Sequence, residues 1–313
     1  MIVDPTPAVA AEPAKLPQKL YADTGLAAIG VNGVDAAGFL QGQLTCNVLD
    51  LSESQASIAA FCNAKGRVIS TLLVVKTPPG FLLILPLALR DSVYRKLRMY
   101  VLRSKVELTM DDRLKIFGIT GCASNFNDRT LLQADFAVST GPELLLKLPG
   151  SERFLWLVPE HEVASQVEKL TGQPGFTHGS PAEWRYHDIA SGLPWFGPEQ
   201  SEQHIPQMLN IDRLGGISFN KGCYTGQEIV ARTHYLGKVK RALFVAACSG
   251  ASQPQPGAAV LDGDTQTVGS VLTAATWENS TRLLLVLQIV DGMPKHLILD
   301  GDNHAQLTLI SVQ

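Results

Sequence analysis

Apolar and polar positions along this 313-residue chain change their period several times, and each change marks a different kind of element. Leu26–Val31 is a short apolar run that reads as a strand, and Asp35 stands where a cap would open a short helix running to about Gln43. Ser57–Phe61 and Val68–Lys76 flank the turn Asn63-Ala64-Lys65-Gly66, which predicts a hairpin. Thr77-Pro78-Pro79-Gly80 then turns the chain into a further strand over Phe81–Leu85. This is a βαβ-type start with antiparallel additions, not a string of alternating βα units. Residues 88–103 switch to helical spacing, with Leu89, Val93, Leu97, Tyr100 and Val101 on one stripe that would face a core.

Farther along, strands at 105–109, 114–120, 143–149 and 154–158, with helices near 122–132 and 160–171, predict an α+β middle region. Ser180-Pro181-Ala182-Glu183 supplies a cap, an N1 proline and an N3 glutamate together, so a helix opens there. From Lys240 onward the runs 240–248, 266–274, 281–289 and 305–312 are separated by turns such as Asp262-Gly263-Asp264, the spacing of a small antiparallel barrel.

Hydrophobic content of 45% and charge of 18% are those of an ordinary globular protein, long enough here for two or three domains. A net charge of −3 makes no general case for nucleic-acid binding. No stretch approaches the ~20 apolar residues that span a bilayer. Residues 1–19 are rich in Pro and Ala, with neither the apolar run of a signal peptide nor the arginines of a mitochondrial presequence, and read as a disordered tail. The five cysteines, Cys46, Cys62, Cys122, Cys223 and Cys248, are scattered and odd in number, which argues against a disulfide framework or a protein-ligated metal and for a reducing, cytoplasmic setting.

Candidate chemistry concentrates in Ile217–Arg232, which reads I-S-F-N-K-G-C-Y-T-G-Q-E-I-V-A-R. Thr225 and Glu228 have capping-box spacing ahead of Ile229-Val230-Ala231, so Cys223 would sit just outside a helix N-terminus. That helix end and Lys221 would both favour thiolate over thiol, while Gly222 and Gly226 would let backbone approach a ligand. His234 lies past the far end of the same helix, roughly 12 Å along its axis at 1.5 Å per residue, too far to serve Cys223 as a base. A second signal comes from the helix at Ser180. Ala182, Tyr186, Ile189 and Leu193 share one face, whereas Trp184 falls nearly opposite, beside Asp188. Such a tryptophan needs either another domain over it or a flat ligand, for which Asp188 would accept ring N–H groups. Two cationic groups read first as solvated: Arg90, Arg95, Lys96, Arg98, Arg103 and Lys105, whose alternative is a rim for a polycarboxylate tail, and Arg232, His234, Lys238, Lys240 and Arg241, a turn before the barrel whose less favoured alternative is RNA contact. Neither G-x-G-x-x-G nor a P-loop occurs at a strand-to-helix junction.

Gly192-Leu193-Pro194, Ile205–Asn210, Leu214–Phe219 and above all Lys221-Gly222-Cys223-Tyr224-Thr225-Gly226-Gln227-Glu228 with Val230-Ala231-Arg232 resemble the YgfZ family, folate-binding proteins related to the T-protein aminomethyltransferase of the glycine cleavage system. Phe39–Leu44 and Asn63–Arg67 extend the likeness over most of residues 26–243. The resemblance implies an α+β, three-module T-protein-like fold. Its parts would be a discontinuous folate-binding module over 20–110 and 180–239, a ferredoxin-like α+β module over 111–179 and a C-terminal antiparallel β-barrel over 240–313. It implies tetrahydrofolate or a one-carbon derivative as cofactor. It also implies a role in assembling or repairing iron–sulfur clusters of client enzymes, including radical enzymes that modify tRNA, by a monomer that contacts neither nucleic acid nor membrane. On this likeness Cys223, with Lys221, carries the critical chemistry, and Trp184, Leu26, Asp188, Tyr224 and Gln227 fall at the folate site; Leu26 replaces a folate-stacking tryptophan. Where the T-protein has an acidic residue at the folate reacting centre, the matching stretch Leu83–Asp91 offers only Asp91, and Asp188 stands in place of an arginine. A tetrahydrofolate-dependent aminomethyltransferase or demethylase is therefore the alternative, and a non-enzymatic folate-sensing scaffold a third.

Overall fold

The chain is described here from a computed structural model that defines residues 16–110, 112–121, 125–126, 129–130, 133–139, 141, 143–248, 254–289, 296–300 and 305–310. Most of the expected N-terminal tail lies outside these residues. Five α-helices occur among those described: α1 (Ala36–Gln41), α2 (Leu87–Val101), α3 (Val163–Thr171), α4 (Pro181–Ala190) and α5 (Gln227–Tyr235). None of the described helices is long and apolar enough to cross a membrane.

The first sheet has the strand order Ser57–Cys62, Val68–Thr77, Gly80–Pro86, Leu26–Asn32, Glu107–Met110, every neighbour antiparallel. Its central strands are covered on both faces: Val68–Val75 are buried without a break. The expected stripe of α2 supplies part of that cover through Leu89, Val93 and Leu97, but Tyr100, at 39% exposure, falls outside it. Asp35 does precede α1, yet its side chain caps nothing; Oδ2 accepts from the backbone N–H of Lys105 instead, at 2.7 Å.

The middle sheet runs Val138–Ser139, Leu144–Lys147, Arg153–Pro159, Leu114–Thr120, Lys19–Tyr21, Thr177–His178. Lys19–Tyr21 pairs antiparallel with Leu114–Thr120 and parallel with Thr177–His178, so the N-terminal segment is a strand of this module rather than the end of a tail or the start of the first module. The helix expected near 122–132 is absent from the described part of that segment, where Asn125–Phe126 and Arg129–Thr130 form a two-stranded hairpin. The rest of it lies outside the described residues. Among those described, the module thus carries α3, whose Leu170 is buried, where a ferredoxin-like arrangement has two helices.

The C-terminal strands close a barrel in the order Arg241–Cys248, Ser280–Gln288, Thr267–Trp277, Ala259–Leu261, Leu297–Leu299, Gln306–Ile310, the last pairing back to the first. Closure removes free edges, which suits a small module of short strands.

Candidate functional site

α4 is the keystone of the site because it is buried on two sides. Ser180 Oγ accepts from Glu183 N–H at 3.1 Å, with Pro181 at the first helical position, as the sequence predicts. On one side Tyr186 reaches the barrel, where its hydroxyl accepts from Arg282 Nε at 3.0 Å and lies 3.0 Å from Ser280 Oγ. On the other, Trp184 is 0% exposed. Its ring packs on Tyr21 with centroids 5.1 Å apart and lies under the Arg153 guanidinium at 4.5 Å. A Cβ on Gly118 would come within 2.4 Å of it. Its off-stripe position is therefore explained by the middle sheet that covers it, and the expectation that Trp184 stacks on a ligand is corrected.

Asp188, one turn on, is 4% exposed and paired with the fully buried Arg153. The same guanidinium donates to His187 O at 2.8 Å and Ser191 Oγ at 2.7 Å, tying the strand Arg153–Pro159 to the C-terminal half of α4. Burial pushes the Asp188 carboxyl above its ordinary value, and Arg153 opposes that push. Burial, with Arg153 adding to it, holds His187 down to about 4, so that ring is neutral at physiological pH. Glu183, on the same helix, takes the Lys19 ammonium at 2.8 Å.

Where α4, the first sheet and the barrel meet there is a cavity of about 530 Å³. Leu26, Pro86, Ile189, Leu193, Trp195 and Phe196 give it apolar and aromatic walls, Asp188 and Arg185 line it from α4, and Pro256 and Thr273 close it from the barrel. Only Oδ1 of Asp188 is committed to Arg153. Trp195 Nε1 is buried without a hydrogen-bond partner, and Arg185 is exposed with no ion pair among the described residues. The sequence points to Leu26 and Asp188 but passes over Trp195, Phe196, Arg185 and Arg153. A signal for the first two exists in Gly192-Leu193-Pro194-Trp195-Phe196, an apolar run just past a helix end; for Arg153 there is none.

The Cys223 loop is a separate place, and Cys223 does not line the cavity. Its architecture differs from a capping box. Gly226, at φ 84°, is the residue that precedes α5, no side chain caps the helix, and Thr225 Oγ1 instead reaches Gln43 Oε1 at 3.4 Å. Backbone bonds dock the loop on the segment after α1, Thr225 N–H to Gly42 O at 3.1 Å and Ser218 N–H to Thr45 O at 2.9 Å. Gly226 also meets the Asn63–Arg67 turn so closely that a Cβ would lie 2.5 Å from Asn63 O and 2.8 Å from Gly66 Cα. Lys221 donates to the carbonyls of Leu44 and Cys46, both at 2.7 Å, and lies over the Tyr224 ring at 5.0 Å. Burial lowers its ammonium to about 8, the nearby Cys46 thiol working the other way. Tyr224 is buried, which pushes its phenol up, and its N–H donates to Gln227 Oε1 at 3.2 Å. Lys221, Tyr224 and Gln227 therefore brace a loop on which Cys223 stands free and exposed.

A scan against protein-family profiles finds no match. In fold the chain is similar to the crystal structure of glycine cleavage system aminomethyltransferase T from Bartonella henselae, with a TM-score of 0.77 over 95% of this chain and 85% of that one. At 13% identity that likeness is one of architecture, and it defines the class: a T-protein-like fold of three modules. Sequence narrows the class. The chain is 32% identical over 289 residues to the tRNA-modifying protein YgfZ of Cronobacter sakazakii, a match that covers 89% of this chain and 83% of the relative. It belongs to the YgfZ family.

Proposed function

We propose that the cavity beside α4 binds a reduced folate, tetrahydrofolate or a one-carbon derivative of it, and that the chain acts with iron–sulfur client enzymes in tRNA modification, Cys223 serving as an exposed reactive thiol. The observation that carries the folate reading is Asp188, a buried carboxylate held from behind by Arg153 and facing a cavity with aromatic walls. The chemistry of the donors fits the group. A pterin is a flat ring edged with N–H groups, for which a carboxylate oxygen is a strong acceptor and the Trp195 indole a surface. The unpaired Arg185 suits the carboxylates of a glutamyl tail. A bound folate would supply a carrier for one carbon, while this chain's own residues bind and orient it and keep water from its ring. The wider role rests on family membership and on the name of the Cronobacter relative.

Fluorescence titration with 5-formyltetrahydrofolate tests the reading. Asp188→Asn removes the charge from one hydrogen bond and should weaken binding about tenfold or more, since a charged hydrogen bond contributes roughly 1.5–3 kcal/mol. Trp195→Leu should also weaken it, whereas Trp184→Phe should act through stability alone. Wild-type protein that ignores 100 μM ligand, or an Asp188→Asn variant with wild-type affinity, would sink the assignment.

A further inference from the structure

The last turn of α5 carries a group of rings that stays exposed among the described residues. Phe219 and His234 are stacked, with centroids 3.7 Å apart and planes 14° from parallel. Tyr235 meets His234 edge-on at 4.7 Å. Rings that pack this closely in a core are buried, but here Tyr235 is 63% exposed, His234 is exposed, and the next residue, Leu236, is 85% exposed. Phe219 backs one face of the imidazole, so the stack ends at solvent.

Cations flank these rings along the sequence. Arg232, Lys238, Lys240 and Arg241 are all exposed and make no ion pair among the described residues. Glu228 is the only acidic residue between 227 and 241. In the sequence this basic run reads as a solvated turn; the stack beside it is what the structure adds. Solvent-facing rings that continue a stack, interleaved with unpaired cations, are the chemistry that takes hold of unstacked bases and the phosphates between them. A duplex keeps its bases stacked on each other and offers none to such a surface.

We propose that the C-terminal end of α5 and the turn after it bind a single-stranded segment of nucleic acid, with bases stacking on His234 and Tyr235 and with Arg232, Lys238, Lys240 and Arg241 along the phosphates. The site is independent of the folate cavity, and either can hold without the other.

Fluorescence anisotropy on the full chain provides the test, using labelled 12-nucleotide oligouridine, oligoadenosine and oligothymidine and a 12-base-pair RNA duplex, from 50 to 200 mM salt. The single strands should bind at least ~10-fold tighter than the duplex. Replacing both rings (His234→Ala with Tyr235→Ala) should weaken single-strand binding roughly 30-fold or more with the salt slope unchanged, since each of the two base stacks contributes about 1–3 kcal/mol. Tyr235→Phe should restore its share, which separates stacking from a folding defect. Lys238→Ala with Lys240→Ala should flatten the slope of log K against log salt by about 1.4, at ~0.7 per cation on single strands. Comparing RNA with DNA strands identifies the natural source, and either satisfies the proposal. No binding at 50 mM salt, equal affinity for duplex, or a ring variant with wild-type affinity would overturn it; the last outcome would leave a surface that merely attracts anions, such as an acidic protein.

Discussion

Replacing Arg153 with methionine should loosen α4 more than any change on the exposed face of that helix. The substitution leaves Asp188 buried without its cation, takes the donors from His187 O and Ser191 Oγ, and removes the charge above the Trp184 ring. Stripping one partner from a buried ion pair typically costs about 3–5 kcal/mol, most of it the desolvation of the charge left behind. Removing both charges together, as Arg153→Met with Asp188→Leu, should recover most of that, because apolar groups of similar volume need no partner. Hydrogen exchange at the α4 amides reads the effect locally, which suits a three-module chain whose global unfolding need not be two-state. Either single variant should lose about two to nearly four decades of protection, at roughly 1.4 kcal/mol per decade, and the double variant less than one. In Arg153→Met the penalty should also shrink toward acid pH, since an unpaired buried carboxyl rises in pKa and takes up a proton. Single variants within about 1 kcal/mol of wild type, with no coupling between them, would mean that the pair is effectively solvated and does not hold the cavity wall.

Burial, aided by Arg153 at His187 and by Arg67 and Arg241 at His204, holds both imidazoles at about 4 against an ordinary 6.5. The folded state thus binds fewer protons than the unfolded one, and stability complete above about 6.5 should be lost as pH falls toward about 4, by about 3 kcal/mol per site; His187→Gln with His204→Gln should flatten urea midpoints across that window, and an unchanged slope would refute the assignment. Gly226→Ala adds a Cβ where Asn63 O is 2.5 Å away, at a φ of 84°, so it should cost about 2 kcal/mol or more and speed proteolysis at the 217–226 loop; an unaltered melting curve would contradict the docking described. Alkylation by iodoacetamide, mapped by mass spectrometry, should mark Cys223 at least ~10-fold faster than the buried Cys46 and Cys62, and Cys223→Ala should change stability by less than about 0.5 kcal/mol. Equal labelling of the three thiols would show that the loop opens readily.

Much of the architecture is legible from local pattern. The hairpin around Asn63–Gly66 and the barrel strands carry alternation and turn residues that act over a few neighbours, and they stand where the pattern puts them. What the pattern misses is decided by distant partners. Ser180–Glu183 and Thr225–Glu228 have the same spacing, yet only the first caps a helix, because the close approach of Gly226 to Gly66 turns the second into a left-handed entry. Periodicity shows that Trp184 needs cover but not that Gly118 and Tyr21 supply it. Asp188 is conspicuous in the sequence, whereas Arg153, which makes it tolerable in a dry wall, is 35 residues away on another module. The exposed stack of Phe219 on His234 likewise joins residues that no short-range rule connects.

The placement of Lys19–Tyr21 bears on how the chain is made. Both neighbours of that strand, Leu114–Thr120 and Thr177–His178, come much later in the sequence, as does the carboxylate that takes Lys19, on Glu183. During synthesis at about 5–20 residues per second, the first strand emerges from the ribosome and waits on the order of ten seconds or more for a partner. The first module can meanwhile collapse around its own antiparallel sheet, but the middle module cannot close until translation has passed residue 178. Lys19–Tyr21 is therefore set in place long after it is made, and a nascent chain halted before Thr177 would leave it as the edge of its sheet, open to whatever strand is nearest.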